Sequence, residues 1–377
     1  MGAPGEDAAT ERLPRPPLLA LLEVAAGRRP GLRLAALDAR RVQWAIATGL
    51  GPLLADAVRA DPEAPRSPHW PALAGAELAA RVVTAELLDA TAEILEACAA
   101  HGHAVTLLKG VAMATQHYPA PHLRLMRDLD LLVAPDAVGA VEAVLDALGY
   151  RPASTRSAAA YARHHHGVPR YHPRRGVWVE VHRALVPPDD PLAAGVLGLA
   201  RVAQELRPAA VGGRPATRLS DELALVHLAV HWGRRFRGRG GLFAPLDAIV
   251  LLRGRRLAWD RVLDWVRDTP AAAPLYLLLS YLDRRGLVPL ASEVLRALRA
   301  SQRGLGPLNL RVAHALVDRY MVDGQRFGRL LAPRGVRRLW QTLLAPRSAT
   351  GNLLRVPGAL LGPGRWRAAG TALTRSG

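Results

Sequence analysis

The chain has 377 residues, of which 50% are hydrophobic and only 5% aromatic, and its formal net charge is +18. This length allows roughly two or three packed units, and the many Ala, Leu and Arg residues favour helices. A single cysteine, Cys98, excludes an internal disulfide, and no uninterrupted apolar run is long enough to span a membrane. The polar, acidic N-terminus does not resemble a secretory signal. We therefore expect a cytoplasmic protein.

The first 74 residues predict a helical segment. Short amphipathic patterns separated by Gly and Pro run over residues 17–60, and a Pro-rich stretch follows at residues 62–71. A long helix without a clear capping residue is then predicted over residues 75–100. Its apolar side is expected to contain Leu78, Val82, Leu87, Ile94 and Leu95.

Short strands and helices alternate over residues 75–205, which predicts a small α/β unit. The three clearest strands cover residues 104–108, 128–133 and 177–182. From Ser220 onward the pattern is helical. We therefore assign a C-terminal helical domain to residues 206–330.

The last segment, residues 331–377, is predicted to be a basic tail. No acidic residue follows Asp323, whereas ten arginines do. Segments of this kind bind RNA or another polyanion in some proteins and are solvated tails in others. Charge alone favours neither interpretation, so both stay open.

Two acidic residues stand out on the second predicted strand. Asp128 and Asp130 are two positions apart, so their carboxylates leave the same face, with Cα atoms about 7 Å apart. Acids aligned between leucines need a cation or water. Mg²⁺ suits them because it takes one or two carboxylates and completes its shell with water and phosphate oxygens. Glu180 lies on the matching polar face of another predicted strand and offers the third carboxylate that a two-metal site needs.

Lys109 is the only lysine among the 50 Lys and Arg residues. Its ammonium group is a compact, strongly hydrated charge that suits phosphate oxygens. The residue ends a predicted strand, and Gly110 follows it at a helix start, where free backbone N–H groups can hold phosphate. We expect Lys109, Gly110 and Arg124 to bind a triphosphate.

The order of these motifs resembles that of the nucleotidyltransferase superfamily that includes DNA polymerase β. The resemblance implies an α+β fold, in which a small mixed-sheet nucleotidyltransferase core is flanked by N-terminal helices and a C-terminal helical region. More closely, residues 75–270 look like an uncharacterised bacterial nucleotidyltransferase-like family, on the motifs Leu-Leu-Lys109-Gly110, Arg124, Asp128-Leu-Asp130-Leu-Leu-Val and Val-Glu180-Val-His182.

The resemblance also implies functional roles. The three carboxylates would be catalytic metal ligands for two Mg²⁺ ions, and Lys109 and Gly110 would occupy the place of the superfamily's Gly-Ser phosphate loop. Val111 stands where a phosphate-binding serine would follow the glycine, and Lys109 is expected to compensate. His182, on the same strand face as Glu180, would contact the acceptor or the leaving phosphate, or support Glu180.

The leading functional prediction is a Mg²⁺-dependent nucleotidyltransferase. It would transfer a nucleoside monophosphate from an NTP to an acceptor that is a small molecule, a peptide or protein, or an RNA end. The alternative is a non-catalytic nucleotide- or RNA-binding protein that uses the same fold and the basic tail. A third candidate is a zinc hydrolase built on His227 and His231, which lie one helical turn apart. The cluster His164–His166 suits a metal or an anionic substrate.

Overall fold

A seven-stranded mixed sheet forms the centre of the protein. The computed structural model describes residues 19–27, 32–234, 241–302, 304–322 and 333–344. Within these ranges the strands, in chain order, are β1 Thr106–Leu107, β2 Asp128–Leu132, β3 Arg151–Pro152, β4 Arg170–His172, β5 Val177–His182, β6 Leu206–Val211 and β7 Arg214–Leu219.

The strands lie in the order β3-β4-β5-β2-β1-β7-β6. β2 runs parallel to β5 and β1 runs parallel to β7, whereas the other neighbouring strands pair antiparallel. The parallel register sets Asp130 beside Glu180 and Leu132 beside His182. The topology therefore brings together two motifs that are far apart in the chain.

β6 and β7 extend the sheet beyond residue 205, where the sequence analysis placed the end of the α/β unit. They form a hairpin whose turn consists of Gly212 and Gly213, with φ angles of 55° and 74°. Glycine adopts this left-handed conformation without a steric penalty. The sequence pattern did not reveal β6 and β7 because they lack an apolar alternation; most of their residues are partly or fully exposed.

Helices surround the sheet on both sides. The α-helix Pro307–Leu316 is followed directly by a π-helical segment, Val317–Val322. The α-helices of the described ranges, in chain order, are α1 Leu19–Ala25, α2 Ala39–Thr48, α3 Gly51–Val58, α4 Trp70–Ala100, α5 Lys109–Gln116, α6 Val138–Ala147, α7 Ala158–Tyr161, α8 Leu199–Gln204, α9 Asp221–Arg234, α10 Phe243–Gly254, α11 Trp259–Val266, α12 Ala272–Arg284, α13 Ser292–Ser301, α14 Pro307–Leu316 and α15 Pro333–Leu344.

The long helix α4 begins earlier than predicted, and the first half of its predicted apolar side is wrong. Leu78 and Val82 are 64% and 63% exposed. In this half of the helix the inward-facing residues include Glu77, whose carboxylate accepts hydrogen bonds from Arg59 and Arg81. The apolar periodicity failed here because the helix packs against a partly polar surface. The other three predicted residues are buried.

The sheet has one apolar face and one polar face. Leu129 and Leu131 of β2 pack with the valines of β5 beneath α4 and α6, in one hydrophobic core. Because side chains alternate along a strand, Asp128, Asp130 and Glu180 point to the opposite face. That face looks toward α9 and α10, and the space between them forms the cavity described below.

A second hydrophobic core joins helices from both ends of the described chain. It contains residues of helices α1 to α3 and α9 to α15. Trp340 of α15 is fully buried, and its indole N–H donates a hydrogen bond of 2.8 Å to the carbonyl oxygen of Gly233. The described part of the predicted basic tail is therefore a packed helix. Residues 345–377 of that tail lie outside the described residues.

The architecture confirms the predicted α+β class, with a mixed sheet flanked by N-terminal helices and a C-terminal helical region. The core of the sheet is built from the strands that the sequence analysis identified most clearly, β2 and β5. In the part of the chain that the structure describes, every helix is too short or too polar to cross a bilayer.

Candidate active site

A cavity of about 310 Å³ lies between the polar face of the sheet and helices α9 and α10. This volume is within the range of pockets that hold small molecules. Of the seven residues that the sequence analysis proposed for the site, six line this cavity: Lys109, Gly110, Arg124, Asp128, Asp130 and Glu180. The seventh, His182, lies directly behind it.

The two aspartates of β2 experience different environments. Asp130 is 4% exposed, whereas Asp128, at the start of the strand, is open to the cavity. Partial removal from water, together with the negative charges of Asp130 and Glu180, raises the pKa of Asp128 to about 6. Of the three carboxylates in this group, Asp128 therefore protonates most easily.

Lys109 supplies a cation to this acidic group. Its Nζ atom lies 2.7 Å from Oδ1 of Asp130. Burial alone would raise the pKa of Asp130, but the charges of Lys109 and His182 outweigh burial and hold that pKa well below its usual range. Lys109 has a φ angle of 46°, a left-handed conformation that costs a non-glycine residue about 1–2 kcal/mol. This backbone turn lies at the first residue of α5.

His182 is buried at the end of β5, with 1% of its surface exposed. Its Nε2 atom lies 2.8 Å from Oδ1 of Asp130 and 3.6 Å from Oε2 of Glu180. Burial lowers the pKa of His182, but the hydrogen bonds to the two carboxylates outweigh burial, so the pKa is raised. His182 thus contacts the acids of the site and not the open space of the cavity.

Three of these side chains could hold a metal ion. The ligand atoms of Asp130, Glu180 and His182 all lie within 4.8 Å of one another. Within the described ranges this is the one group of three or more His, Cys, Asp or Glu residues with such spacing. Asp128 lines the same cavity but does not belong to the group.

The start of α5 forms one wall of the cavity. Leu108 occupies the N-cap position and makes no side-chain capping hydrogen bond. The first backbone N–H groups of a helix have no partner within it, and they attract anions. Gly110 adds no side chain to this wall. A Cβ atom at this position would lie 3.3 Å from Cγ of Met126.

Arg124 lines the cavity, but its guanidinium is already paired. Nε and one terminal nitrogen donate to the two carboxylate oxygens of Asp247, at 2.9 and 3.0 Å. Tyr118 donates a third hydrogen bond to Asp247, at 2.8 Å, and the guanidinium lies over the ring of Phe243 at 4.2 Å. Arg124 is therefore held firmly in the cavity wall, and its role toward a triphosphate stays a prediction.

Asp247 is a site residue whose role the sequence analysis did not identify. It is 1% exposed and belongs to α10, where it is the single acidic residue in an apolar helix. That isolation is a usable signal, because a buried carboxylate needs a charged partner. The partner itself, Arg124, could not be inferred, since it is distant in the chain.

The histidines separate into two groups. His227 and His231 of α9 line the cavity opposite the acids. Burial and the positive charge of Lys109 lower the pKa of His227 to about 3. Neither belongs to a metal-competent group among the residues described, so this geometry does not support the zinc alternative. The rings of His165 and His166 pack against His182, with centroids 5.3 Å away.

The arrangement combines three chemical capacities. It has carboxylates and an imidazole that can bind a divalent cation, an uncapped helix start with a lysine that can bind phosphate, and a cavity that can hold a substrate. No curated protein matches this chain. A solution structure of the antibiotic-resistance factor ANT(2'')-Ia matches 54% of this chain and 94% of its own, at 14% identity and a TM-score of 0.33.

The predicted family is confirmed. The model of the family described as "Uncharacterised nucleotidyltransferase" matches residues 38–286. The match extends the predicted resemblance into the N-terminal helices, which share a core with the C-terminal helices. Since the match covers more than half of the chain, the protein belongs to this nucleotidyltransferase family.

Proposed function

We propose that the protein is a Mg²⁺-dependent nucleotidyltransferase that transfers a nucleoside monophosphate from an NTP to an acceptor hydroxyl. The observation that carries this proposal is the convergence of Asp128, Asp130 and Glu180 with Lys109 and Gly110 in one cavity. The family supports nucleotidyl transfer in general. The cavity adds the groups that this chemistry needs.

The residues present fit a divalent cation. Asp130 and Glu180 lie in register on adjacent parallel strands, and Asp128 faces the same space. Their carboxylates would hold Mg²⁺, with the remaining positions taken by water and phosphate oxygens. When bound, the cation supplies positive charge next to the transferred phosphorus and the leaving oxygen.

The chain's own groups would position both reactants. Lys109 and the first N–H groups of α5 would bind the β- and γ-phosphates, and the fixed charge of Arg124 would add to the field of the cavity. Glu180 would accept the hydrogen bond of the acceptor hydroxyl. The hydroxyl oxygen then bonds to the α-phosphorus, the bond to the β-phosphate breaks, pyrophosphate leaves, and the hydroxyl proton passes to the carboxylate and then to water.

The test measures pyrophosphate release from each NTP with Mg²⁺ and candidate acceptors. The double variant Asp128→Asn/Asp130→Asn removes two cavity carboxylates while preserving side-chain size. We expect it to lose at least about 10³-fold in rate, since it removes the charges that position the cation.

Asp136→Asn is the matched control. Asp136 is, like Asp128, an exposed acid close to β2, but it does not line the cavity, so this variant should retain wild-type turnover. Wild-type activity in the double variant would contradict the proposal. So would an equal loss in the control, because the effect would then not be specific to the cavity.

A further inference from the structure

His182 places an imidazole nitrogen beside the carboxylates of the site. It lies on β5, two residues after Glu180, and its Nε2 atom faces Asp130 and Glu180 at 2.8 and 3.6 Å. Its other ring nitrogen, Nδ1, is buried and finds no hydrogen-bond partner among the residues that the structure describes. The polar contacts of the ring are therefore concentrated on Nε2.

These distances lie slightly below and slightly above those between neighbouring ligands of a single ion. Imidazole nitrogen and carboxylate oxygen bind divalent transition metals at about 2.0–2.2 Å. Two such atoms at angles of about 90–110° around one ion would lie about 3.0–3.4 Å apart. The separations of Nε2 from the two carboxylates bracket this range, and all three ligand atoms lie within 4.8 Å of one another.

The imidazole is also held in place. His182 is 1% exposed and forms a β-bridge with His166. The rings of His165 and His166 pack against it, with centroids 5.3 Å away in both cases. A side chain whose rotamer is fixed by packing loses little freedom when it binds an ion.

Two nitrogen groups lie beside the carboxylate that would hold the cation. Oδ1 of Asp130 accepts hydrogen bonds from both Lys109, at 2.7 Å, and His182, at 2.8 Å. A divalent cation would substitute for that local positive charge. Lys109 lines the cavity in which the triphosphate is expected.

We infer that His182 is a direct metal ligand through Nε2, so that Asp130, Glu180 and His182 form a mixed carboxylate–imidazole centre that prefers Mn²⁺ to Mg²⁺. The inference rests on the cation site of the proposed function and specifies its chemistry. Mg²⁺ selects oxygen ligands, whereas an imidazole ligand suits later divalent metals. Mn²⁺ accepts carboxylates as Mg²⁺ does. As a transition-metal ion it also coordinates an imidazole nitrogen, which the harder Mg²⁺ ion disfavours.

The test uses the full-length protein with Mn²⁺ and no nucleotide. Electron spin-echo envelope modulation of bound Mn²⁺ detects a directly coordinated nitrogen. We expect nitrogen modulation in the wild type and its loss in His182→Gln, where an amide oxygen can replace the imidazole and retain the ion. Titration calorimetry should show Mn²⁺ affinity at least about tenfold lower in this variant, with a smaller change for Mg²⁺.

His165→Gln is the matched control, because it removes a neighbouring imidazole that belongs to no metal-competent group in the described ranges. It should retain the modulation. Three outcomes would overturn the inference: a wild-type protein that binds no Mn²⁺, bound Mn²⁺ without nitrogen modulation, or modulation that persists in His182→Gln.

The two proposals can fail separately. The spin-echo measurement requires no turnover. A nitrogen-coordinated metal in a protein without transferase activity would therefore support His182 as a metal ligand and contradict the proposed function. Transferase activity together with a metal bound only by oxygen would support the proposed function and contradict the assignment of His182 as a metal ligand.

Discussion

At the scale of single residues, the buried charge of Asp247 has the largest structural consequence. Its carboxylate accepts two hydrogen bonds from Arg124 and one from Tyr118, and both partners are largely buried. Tyr118 belongs to the loop between α5 and β2, and Arg124 precedes β2. Asp247 on α10 therefore ties the segment that leads into the acidic strand to the C-terminal helices.

Asp247→Ala should strongly destabilise the fold. It leaves the guanidinium of Arg124 and the hydroxyl of Tyr118 without their partner, and breaking a buried ion pair costs about 3–5 kcal/mol. Chemical denaturation measures the free energy of unfolding. The matched control is Arg66→Ala, which breaks an exposed pair with Glu63 and should cost less than about 1 kcal/mol. Equal effects of the two variants would show that the Asp247 pair is not buried in solution.

At the scale of elements, β2 and β5 show what the sequence could and could not predict. The alternation of Asp and Leu in one strand and of Val with polar residues in the other identified both strands and the face of each acid. The register between Asp130 and Glu180 could not be predicted, because pairing between distant strands leaves no local pattern. The contact of His182 with Asp130 follows from that register, so it could not be predicted from the sequence either.

A second element-scale feature is the buried histidine between α12 and α14. His314 is 3% exposed, and its Nε2 atom lies 3.2 Å from Oγ of Ser280. Burial, and next the positive charge of Arg284, lower its pKa to about 4, although Asp318 opposes the shift. His314 is therefore neutral in the folded protein near neutral pH.

This burial predicts a loss of stability in acid. Because the pKa of His314 is lower in the folded state than its ordinary value of 6.5, the unfolded chain binds the proton first. Stability is unaffected above that ordinary value and falls as the pH decreases through the interval down to about 4. Between about pH 7.5 and about pH 5, His314 should account for a loss of about 2 kcal/mol.

His314→Gln removes the titrating group and leaves a donor and acceptor near Ser280. The free energy of unfolding of the wild type and of this variant, measured by denaturant titration at both pH values, isolates the contribution of His314 from those of other groups. The variant should lose less stability in acid than the wild type. An identical loss in both proteins would mean that His314 is already accessible to protons in the folded state.

At the scale of the whole molecule, the sequence predicted the classes of structure but not how the segments combine. Residues 1–74 and 206–330 were assigned to separate helical segments, yet helices from both lie in one hydrophobic core. Amphipathic periodicity shows that a helix has a partner and does not identify that partner. The same limit applies to the basic tail, where the sequence could not show which core the helix α15 packs into.

α15 should be part of the folded core and contribute substantially to stability. Trp340 is fully buried and packs edge-to-face against Trp232, with ring centroids 5.2 Å apart. Its indole N–H donates a hydrogen bond to the carbonyl oxygen of Gly233. Trp340→Ala would leave a large cavity and an unpaired carbonyl, at a cost of about 3–5 kcal/mol. Trp178→Ala is the matched control, since Trp178 is 39% exposed on β5 and should cost about 1 kcal/mol.

The consequence of Trp340→Ala should also reach the cavity. Trp232 and His231 of α9 line it, and Trp340 of α15 packs against Trp232. Fluorescence-detected denaturation should therefore show a lower unfolding midpoint, and nucleotide affinity at a temperature where the variant remains folded should fall as well. If Trp340→Ala were no more destabilising than Trp178→Ala, α15 would be a surface helix whose packing does not support the wall of the site.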